Sequence, residues 1–201
     1  MPSCVHGQSA GLGQFGACGQ VLASASVYHV SLQALPIGMV LDGSTSRHGS
    51  FFLEPVPPQF AGDAKFLRYR RVEHALEAVR TAHFQERPSR QACRFAFTCP
   101  SCARTFRDKS RKAGHVYEVE PLNAAAACFV GDMELRNCSF ALTGLSAAER
   151  LARGLEADEG VAVSILAVSY WSGGAARDLG GSLPVAEVLV AGALTVSRAI
   201  D

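Results

Sequence analysis

A single carboxylate lies within the last strongly apolar segment of the chain. Glu187 interrupts the run Val185 to Val190, whose other members are Val, Ala and Leu. If this run is a strand, alternation places Glu187 on the same face as Val185 and Leu189. Burying an unpaired charge is costly, so the pattern indicates one of two things: a functional cleft, or an edge strand whose charge discourages aggregation.

Two more residues of catalytic type lie in an early β-rich run. Tyr28 and His29 belong to Val27-Tyr28-His29-Val30, which follows a stretch rich in Ser and Ala. An imidazole can donate or accept a hydrogen bond without carrying a large charge, and a histidine in a strand is also common as a satisfied core residue. The pattern alone leaves both interpretations open.

Arg90 and the pair Tyr170-Trp171 are candidate ligand contacts of another kind. Arg90 follows Pro88 and Ser89 in a predicted turn, and a planar guanidinium suits phosphate recognition. Trp171, the only tryptophan, is predicted at a strand end, where an aromatic ring can stack on a flat ligand. The alternatives are a surface arginine and a tryptophan that fills the core.

The seven cysteines include one pair with a recurrent metal or redox spacing. Cys99-Pro100-Ser101-Cys102 supplies two zinc ligands at most, whereas a closed structural site uses four. Cys93 and His115 are nearby, but their spacing fits no common zinc finger. A thioredoxin-like motif would require a βαβ context that the sequence does not predict. We therefore expect no metal site and free thiols in a reducing cytoplasm.

Length and composition favour one folded domain. The chain has 201 residues, of which 48% are hydrophobic and 18% charged, with a net charge of +1. A net charge so close to zero gives no overall positive potential that would attract a nucleic acid. No apolar run is long enough to span a bilayer, and the start lacks the pattern of a secretory signal. We expect a flexible tail over residues 1–25 and one domain over residues 26–201.

Hydrophobic periodicity predicts helices and strands in an irregular order. Apolar residues at three- and four-residue steps predict an early helix over 66–79, with Glu73 and Glu77 on its solvent side. Further helices are predicted over 100–111, capped by Ser101, and over 146–157, with a capping box at Ser146 and Glu149. Strands are predicted over 92–97, 116–120, 128–130, 161–171 and 185–190. This order favours an α+β fold with a mixed or antiparallel sheet.

Taken in chain order, these segments resemble a group of bacterial domains related to the ADP-ribosyltransferase superfamily, in its H-Y-E branch. The segments are YHVS at 28–31, PSR at 88–90, VYEVEP at 116–121, YW-G at 170–173 and AEVLV at 186–190. VYEVEP is similar to a strand of rifampin ADP-ribosyltransferases, and AEVLV resembles the catalytic-glutamate strand of DNA-targeting ADP-ribosyltransferase toxins. The resemblance implies a split β-sheet, mixed or antiparallel, flanked by helices.

The resemblance also implies a transferase that uses NAD as its co-substrate. His29 would bind the ribose next to nicotinamide, and Glu187 would stabilise positive charge on that ribose as the glycosidic bond breaks. Phe95 and Phe97 stand in the strand where the second motif has a tyrosine. The expected cofactor-binding residues are Tyr28, His29, Ser31, Arg90, Tyr117, Tyr170 and Trp171, with Arg70 as a second candidate for the pyrophosphate.

The acceptor of ADP-ribose is left open: a protein, a nucleic acid, a small molecule or water. The resemblance suggests a bacterial cytoplasmic enzyme, including a delivered toxin or effector, with no membrane partner. One alternative is an RNA 2′-phosphotransferase that uses the basic cluster over residues 104–112. Others are a non-catalytic nucleotide- or partner-binding domain of the same fold, and a zinc-dependent module built on Cys99 and Cys102.

Overall fold

The computed structural model describes residues 26–42, 47–123, 125–180 and 184–201, so the predicted tail over 1–25 lies outside the described residues. Within these ranges the chain forms seven strands and five α-helices. The strands are β1 (Val27–Ser31), β2 (Val40–Leu41), β3 (Arg94–Phe97), β4 (His115–Pro121), β5 (Cys128–Asp132), β6 (Ala186–Val190) and β7 (Leu194–Ala199). The helices are α1 (Ala64–His83), α2 (Pro100–Ser110), α3 (Met133–Leu142), α4 (Ala147–Ala152) and α5 (Glu159–Ser172).

All seven strands join one antiparallel sheet in the order β2-β7-β4-β1-β3-β6-β5. The central strand β1 pairs with β4 along its whole length, from Val27 to Ser31. It pairs with β3 at one position only, where Tyr28 lies opposite Phe97. The sheet therefore consists of two halves that meet at a narrow junction between β1 and β3. The α+β class with an antiparallel sheet is confirmed.

Helices cover the two halves of the sheet differently. The helices α1, α3 and α5 pack on one another, and α5 also contacts β5. Their shared core includes Leu76, Phe129, Trp171 and Leu189, all essentially without exposed surface. Helix α2 packs on β1, β3 and β4. In the described part of the chain, no helix combines the length and the apolar character that crossing a bilayer requires.

The segment over 161–171 is helical, so the predicted strand is wrong. Asp158 caps helix α5 by accepting a hydrogen bond from the Val161 amide, and the helix ends at Gly173, whose φ is 85°. The buried residues recur with helical spacing, but Val161, Ile165 and Val168 on the exposed side are also apolar. An apolar run without a polar face conceals the helical period.

Three smaller predictions also need correction. The predicted helix over 146–157 is shorter in the structure, where only α4 is helical. Its capping box at Ser146 and Glu149 is confirmed. The helix does not continue through Gly154, whose φ is 69°. Helix α2 is capped by Cys99 rather than Ser101. Strand β5 extends beyond the predicted 128–130 and includes Gly131 and Asp132.

Candidate functional site

Glu187 lies in the interior of the sheet. Strand β6 runs between β3 and β5, and the residues opposite Glu187 are Phe97 and Gly131. The residue is 3% exposed. An edge-strand role for this carboxylate is therefore excluded, and its charge must be balanced inside the protein.

Two buried side chains hold the Glu187 carboxylate. Nη1 of Arg90 lies 2.7 Å from Oε1, and the hydroxyl of Tyr170 donates to the same oxygen over 2.8 Å. Nη1 of Arg90 also donates to the Tyr170 hydroxyl over 2.6 Å, so the three groups form a closed triangle. Burial, together with the Glu187 charge, raises the pKa of Tyr170 well above its ordinary value despite Arg90. The phenol stays protonated and acts as a donor.

Glu73 forms the other side of this buried network. Its carboxylate accepts hydrogen bonds from Nε and Nη2 of Arg90 at 2.8 and 3.3 Å, and from Nε of Arg136 at 2.9 Å. Nε2 of His48 lies 3.0 Å away. Glu73 has no exposed surface, so its predicted position on the solvent side of α1 is wrong. It lies three residues before Leu76, which places it on the buried stripe of the helix.

The charges of this network balance. Burial alone would raise the pKa of Glu73, but Arg90, His48 and Arg136 outweigh burial and hold it well below its ordinary value. Burial would lower the pKa of Arg90, yet Glu187 and Glu73 raise it further above its ordinary value. Two carboxylates therefore face two guanidinium groups, while burial lowers the pKa of His48 and favours its neutral form.

A glycine makes room for the Tyr170 ring. A Cβ atom on Gly131 would lie 2.6 Å from Cε2 of Tyr170, closer than any ordinary contact. The ring also packs edge-on against Phe129 and Trp171. The next residue, Asp132, accepts hydrogen bonds from the amides of Glu134, Ala176 and Val185. Val185, directly before β6, is thus tied to the end of β5.

His29 lies at the junction between the two halves of the sheet. Its Nδ1 is 2.9 Å from the carbonyl oxygen of Phe95. A carbonyl only accepts, so Nδ1 carries the proton and Nε2 is left as an acceptor. Burial lowers the pKa of His29, and Arg94 and Arg111 add to this shift against the opposing effect of the Phe95 carbonyl. The imidazole is therefore neutral near pH 7, with a lone pair suited to a hydroxyl donor.

The strand register separates His29 from Glu187. Tyr28 lies opposite Phe97, and Phe97 lies opposite Glu187, so these three side chains share one face of the sheet. His29 follows Tyr28 and points to the other face. Alternation therefore places the imidazole and the carboxylate on opposite faces, whereas the prediction has both contact one ribose. Within the YHVS segment, Tyr28 shares a face of the sheet with Glu187.

The other predicted ligand contacts have structural roles in this arrangement. Arg90 is 1% exposed and bound to Glu73 and Glu187, so it does not present its guanidinium to a phosphate. Tyr170 and Trp171 have no exposed surface, and Nε1 of Trp171 donates to the Leu76 carbonyl over 2.7 Å. Trp171 fills the core, which is the simpler of the two interpretations.

Tyr117, Ser31 and Arg70 also have partners within the chain. The Tyr117 hydroxyl accepts from the Leu35 amide over 2.8 Å, and the ring is buried. Ser31 Oγ accepts from the Gln33 amide in the turn after β1. Arg70 donates to the carbonyls of Phe51 and Leu53 and pairs with Glu54. These contacts fix loops against the sheet and α1.

The basic cluster and the cysteines complete the predicted set. Arg104 and Arg107 pair with Asp201, and Lys109 lies near Glu134, as expected of a solvated face.

Cys128 is disulfide-bonded, so the prediction that all thiols are free is wrong at this residue. Cys93 and Cys138 are free thiols. Among the described residues, no three side chains of His, Cys, Asp or Glu are grouped to hold a metal ion.

No protein-family model matches the chain, and no curated protein matches it either. The functional proposal therefore depends on the contacts around Glu187 and on the residues that carry the resemblance. The sequence showed Glu187 directly, because its charge stands out in an apolar strand. It did not show Glu73, His48 and Arg136, since their partners lie far away along the chain.

Proposed function

We propose that this chain is an NAD-dependent ADP-ribosyltransferase in which Glu187 stabilises positive charge on the ribose. One observation carries the proposal: a carboxylate in the middle of an apolar strand is fixed at 2.7 and 2.8 Å by two buried donors. The position is also the one to which the resemblance assigns the catalytic glutamate. A carboxylate held in one orientation by two donors is the arrangement that electrostatic stabilisation of a transition state uses.

The chemistry needs a fixed negative charge. Breaking the bond between nicotinamide and ribose makes the ribose carbon oxocarbenium-like, and a carboxylate that is already oriented stabilises this charge mainly in the transition state. Arg90 and Tyr170 both bind Oε1 of Glu187. No hydrogen bond from the described residues reaches Oε2, which is the oxygen we assign to the ribose.

The ligand would approach from the face that Glu187 shares with Tyr28. Tyr28 and Glu187 lie on strands separated only by β3, about 10 Å apart across the sheet. Because Glu187 is nearly buried, binding requires a covering segment to move.

A second candidate function is nucleotide binding without turnover. It is favoured by the register that puts His29 and Glu187 on opposite faces, and by the contacts that occupy the Arg90 guanidinium. Neutral His29, with Nε2 as an acceptor, is suited to a ribose hydroxyl whether or not a bond is broken. The RNA 2′-phosphotransferase alternative has less support, because the basic cluster pairs with nearby acids.

The deciding experiment measures NAD binding and NAD cleavage separately. Calorimetry with NAD and ADP-ribose reports binding, and release of nicotinamide reports cleavage. Glu187→Gln should abolish cleavage in samples that circular dichroism shows to be folded, and the exposed Glu156→Gln should behave like wild type. Binding without cleavage by the wild type, with proteins, nucleic acids and water as acceptors, would favour the second candidate. If the wild type neither binds nor cleaves NAD, the transferase and the nucleotide-binding functions are both rejected. Loss of phosphate from a 2′-phosphorylated RNA would favour the phosphotransferase.

A further inference from the structure

Glu73 is a buried carboxylate to which the proposed chemistry assigns no task. It lies in α1 without exposed surface, whereas Glu187 lies in β6. The two carboxylates share one cation, because Arg90 contacts Glu187 through Nη1 and Glu73 through Nε and Nη2. Two acids bound to one guanidinium can have different tasks, and their contacts distinguish them.

The two carboxylates differ in how fully their oxygens are occupied. Oε1 of Glu73 accepts hydrogen bonds from Nη2 of Arg90 and Nε of Arg136. Nε2 of His48 lies 3.0 Å from the same oxygen, and Oε2 accepts from Nε of Arg90 over 2.8 Å. By contrast, Oε2 of Glu187 accepts no hydrogen bond from the described residues. Of the two acids, Glu187 is therefore the one that can offer an oxygen to a ligand.

The orientation of the Arg90 guanidinium decides whether that oxygen stays open. Nε and Nη2 form the edge that faces Glu73, at 2.8 and 3.3 Å, and Nη1 faces Glu187 at 2.7 Å. Because the group is planar and rigid, binding of the first edge fixes the direction of Nη1. An end-on pair with Glu187 would instead use Nη1 and Nη2 together. Nη2 is therefore the nitrogen for which the two carboxylates compete.

We propose that Glu73 is a positioning residue that holds Nη2 of Arg90 and thereby keeps Oε2 of Glu187 open for the ribose. Without the Glu73 charge, Arg90 would bind both oxygens of Glu187, since arginine and carboxylate groups frequently form such bidentate pairs. The Glu187 charge would then be neutralised by Arg90 and could no longer stabilise the ribose. This inference rests on the proposed function, because it assigns Glu73 a role in the same site.

A second arginine fixes the position of Glu73 itself. Arg136 in α3 donates from Nε to Glu73 over 2.9 Å, and its Cζ lies 4.3 Å from the centre of the Tyr69 ring. Glu73 is therefore held from the side opposite to Arg90 and does not depend on Glu187 for its place. A carboxylate fixed in this way can restrain the guanidinium rather than follow it.

Glu73→Gln in the full-length protein tests this role, with NAD cleavage followed as release of nicotinamide. The substitution keeps the size of the side chain and removes its charge. We expect kcat per folded molecule to fall at least about tenfold while KM changes by less than about twofold, with the folded fraction taken from circular dichroism. A merely structural role would lower the folded fraction and leave kcat per folded molecule unchanged, and that result would overturn the proposal.

Glu77→Gln is the matched control, one turn later in α1. Glu77 also pairs with an arginine, Arg80, and accepts from the Ser89 hydroxyl, so its partners in the described part of the chain lie outside the network. Its kcat should equal that of wild type, and a loss as large as that of Glu73→Gln would overturn the assignment to Glu73.

Glu73→Asp replaces the first variant if Glu73→Gln does not fold. The shorter carboxylate keeps the charge but cannot reach both Nε and Nη2 of Arg90 from the same place in α1. We expect kcat per folded molecule to fall in this variant as well, and an unchanged value would overturn the proposal.

A crystal structure of the folded variant separates this inference from the proposed function. If the wild type does not cleave NAD, the proposed function fails, but the orientation of Arg90 still tests Glu73. Arg90 in contact with both oxygens of Glu187 would support the positioning role. A guanidinium that keeps its wild-type orientation and leaves Oε2 of Glu187 open would overturn it, whatever the activity of the variant.

Discussion

Nη1 of Arg90 lies 2.7 Å from Oε1 of Glu187, although 97 positions separate the two residues in the chain. The same guanidinium binds Glu73 through Nε and Nη2, so one cation serves two buried carboxylates. A buried ion pair adds little net stability compared with a well-packed apolar substitute, because desolvation offsets the Coulombic attraction. Removing only one partner of the pair is far more costly, since the remaining charge is left buried without a partner.

We therefore predict that Arg90→Met destabilises the protein by about 3–5 kcal/mol. The substitution keeps much of the side-chain volume but leaves Glu73 with Arg136 and His48, and Glu187 with Tyr170 alone. Urea denaturation followed by circular dichroism measures the change in the free energy of unfolding. Exposed Arg153→Met is the control and should stay within about 0.5 kcal/mol of wild type. An equally small effect of Arg90→Met would show that the network is not closed as described.

The sequence predicted the parts of this fold that depend on local chemistry. Strand β6 follows from its β-branched run, and the cap of α4 from Ser146 and Glu149, because each signal lies within a few residues. Helix α5 was mistaken for a strand because both of its sides are apolar. The hydrophobic pattern distinguishes the helical period from the strand period only when polar residues mark the exposed face.

The buried network could not be predicted for a different reason. Glu73 resembles any charged residue of an amphipathic helix until its partner Arg90 is known, and Arg90 lies in a turn 17 positions away. The separation of His29 from Glu187 likewise depends on which residue of β1 lies opposite Phe97. A shift of register by one residue would reverse the faces, and the sequence of β1 does not fix that register.

Gly131→Ala should disturb the site through Tyr170. The added methyl group would lie 2.6 Å from the ring, so the ring or strand β5 must move, at a cost of about 1–3 kcal/mol. Gly62→Ala is the matched control, because a Cβ atom there meets nothing within 4 Å. Thermal and urea denaturation compare the two variants. Equal stability of both would show that the Tyr170 ring does not pack against β5 as described.

Glu73 should make stability depend on pH in the acidic range. Its folded-state pKa is depressed, because Arg90, His48 and Arg136 outweigh burial. A depressed carboxyl pKa contributes stability that is fully present above the unfolded value of about 4.3 and is lost as pH falls through the folded value. We predict that the stability difference between wild type and Glu73→Gln begins to close below about pH 4.3.

Urea denaturation at a series of pH values measures that difference. Glu156→Gln, at an exposed position, should follow the wild-type curve in parallel over the whole range. A constant difference between wild type and Glu73→Gln, from neutral pH down to acid unfolding, would contradict the depressed pKa of Glu73.

Tyr170→Phe tests whether the orientation of Glu187 matters for chemistry. The substitution removes the hydroxyl that donates to Oε1 over 2.8 Å and keeps the ring that packs on Phe129 and Trp171. If Glu187 stabilises the ribose charge, a carboxylate held by Arg90 alone shifts from its productive position. We predict a fall in kcat for NAD cleavage of about 100-fold, with KM nearly unchanged. A rise in KM at constant kcat would instead make Tyr170 a contributor to ligand affinity. Circular dichroism on the same samples measures the folded fraction. If activity falls only in proportion to the folded fraction, the Tyr170 hydroxyl contributes to packing alone.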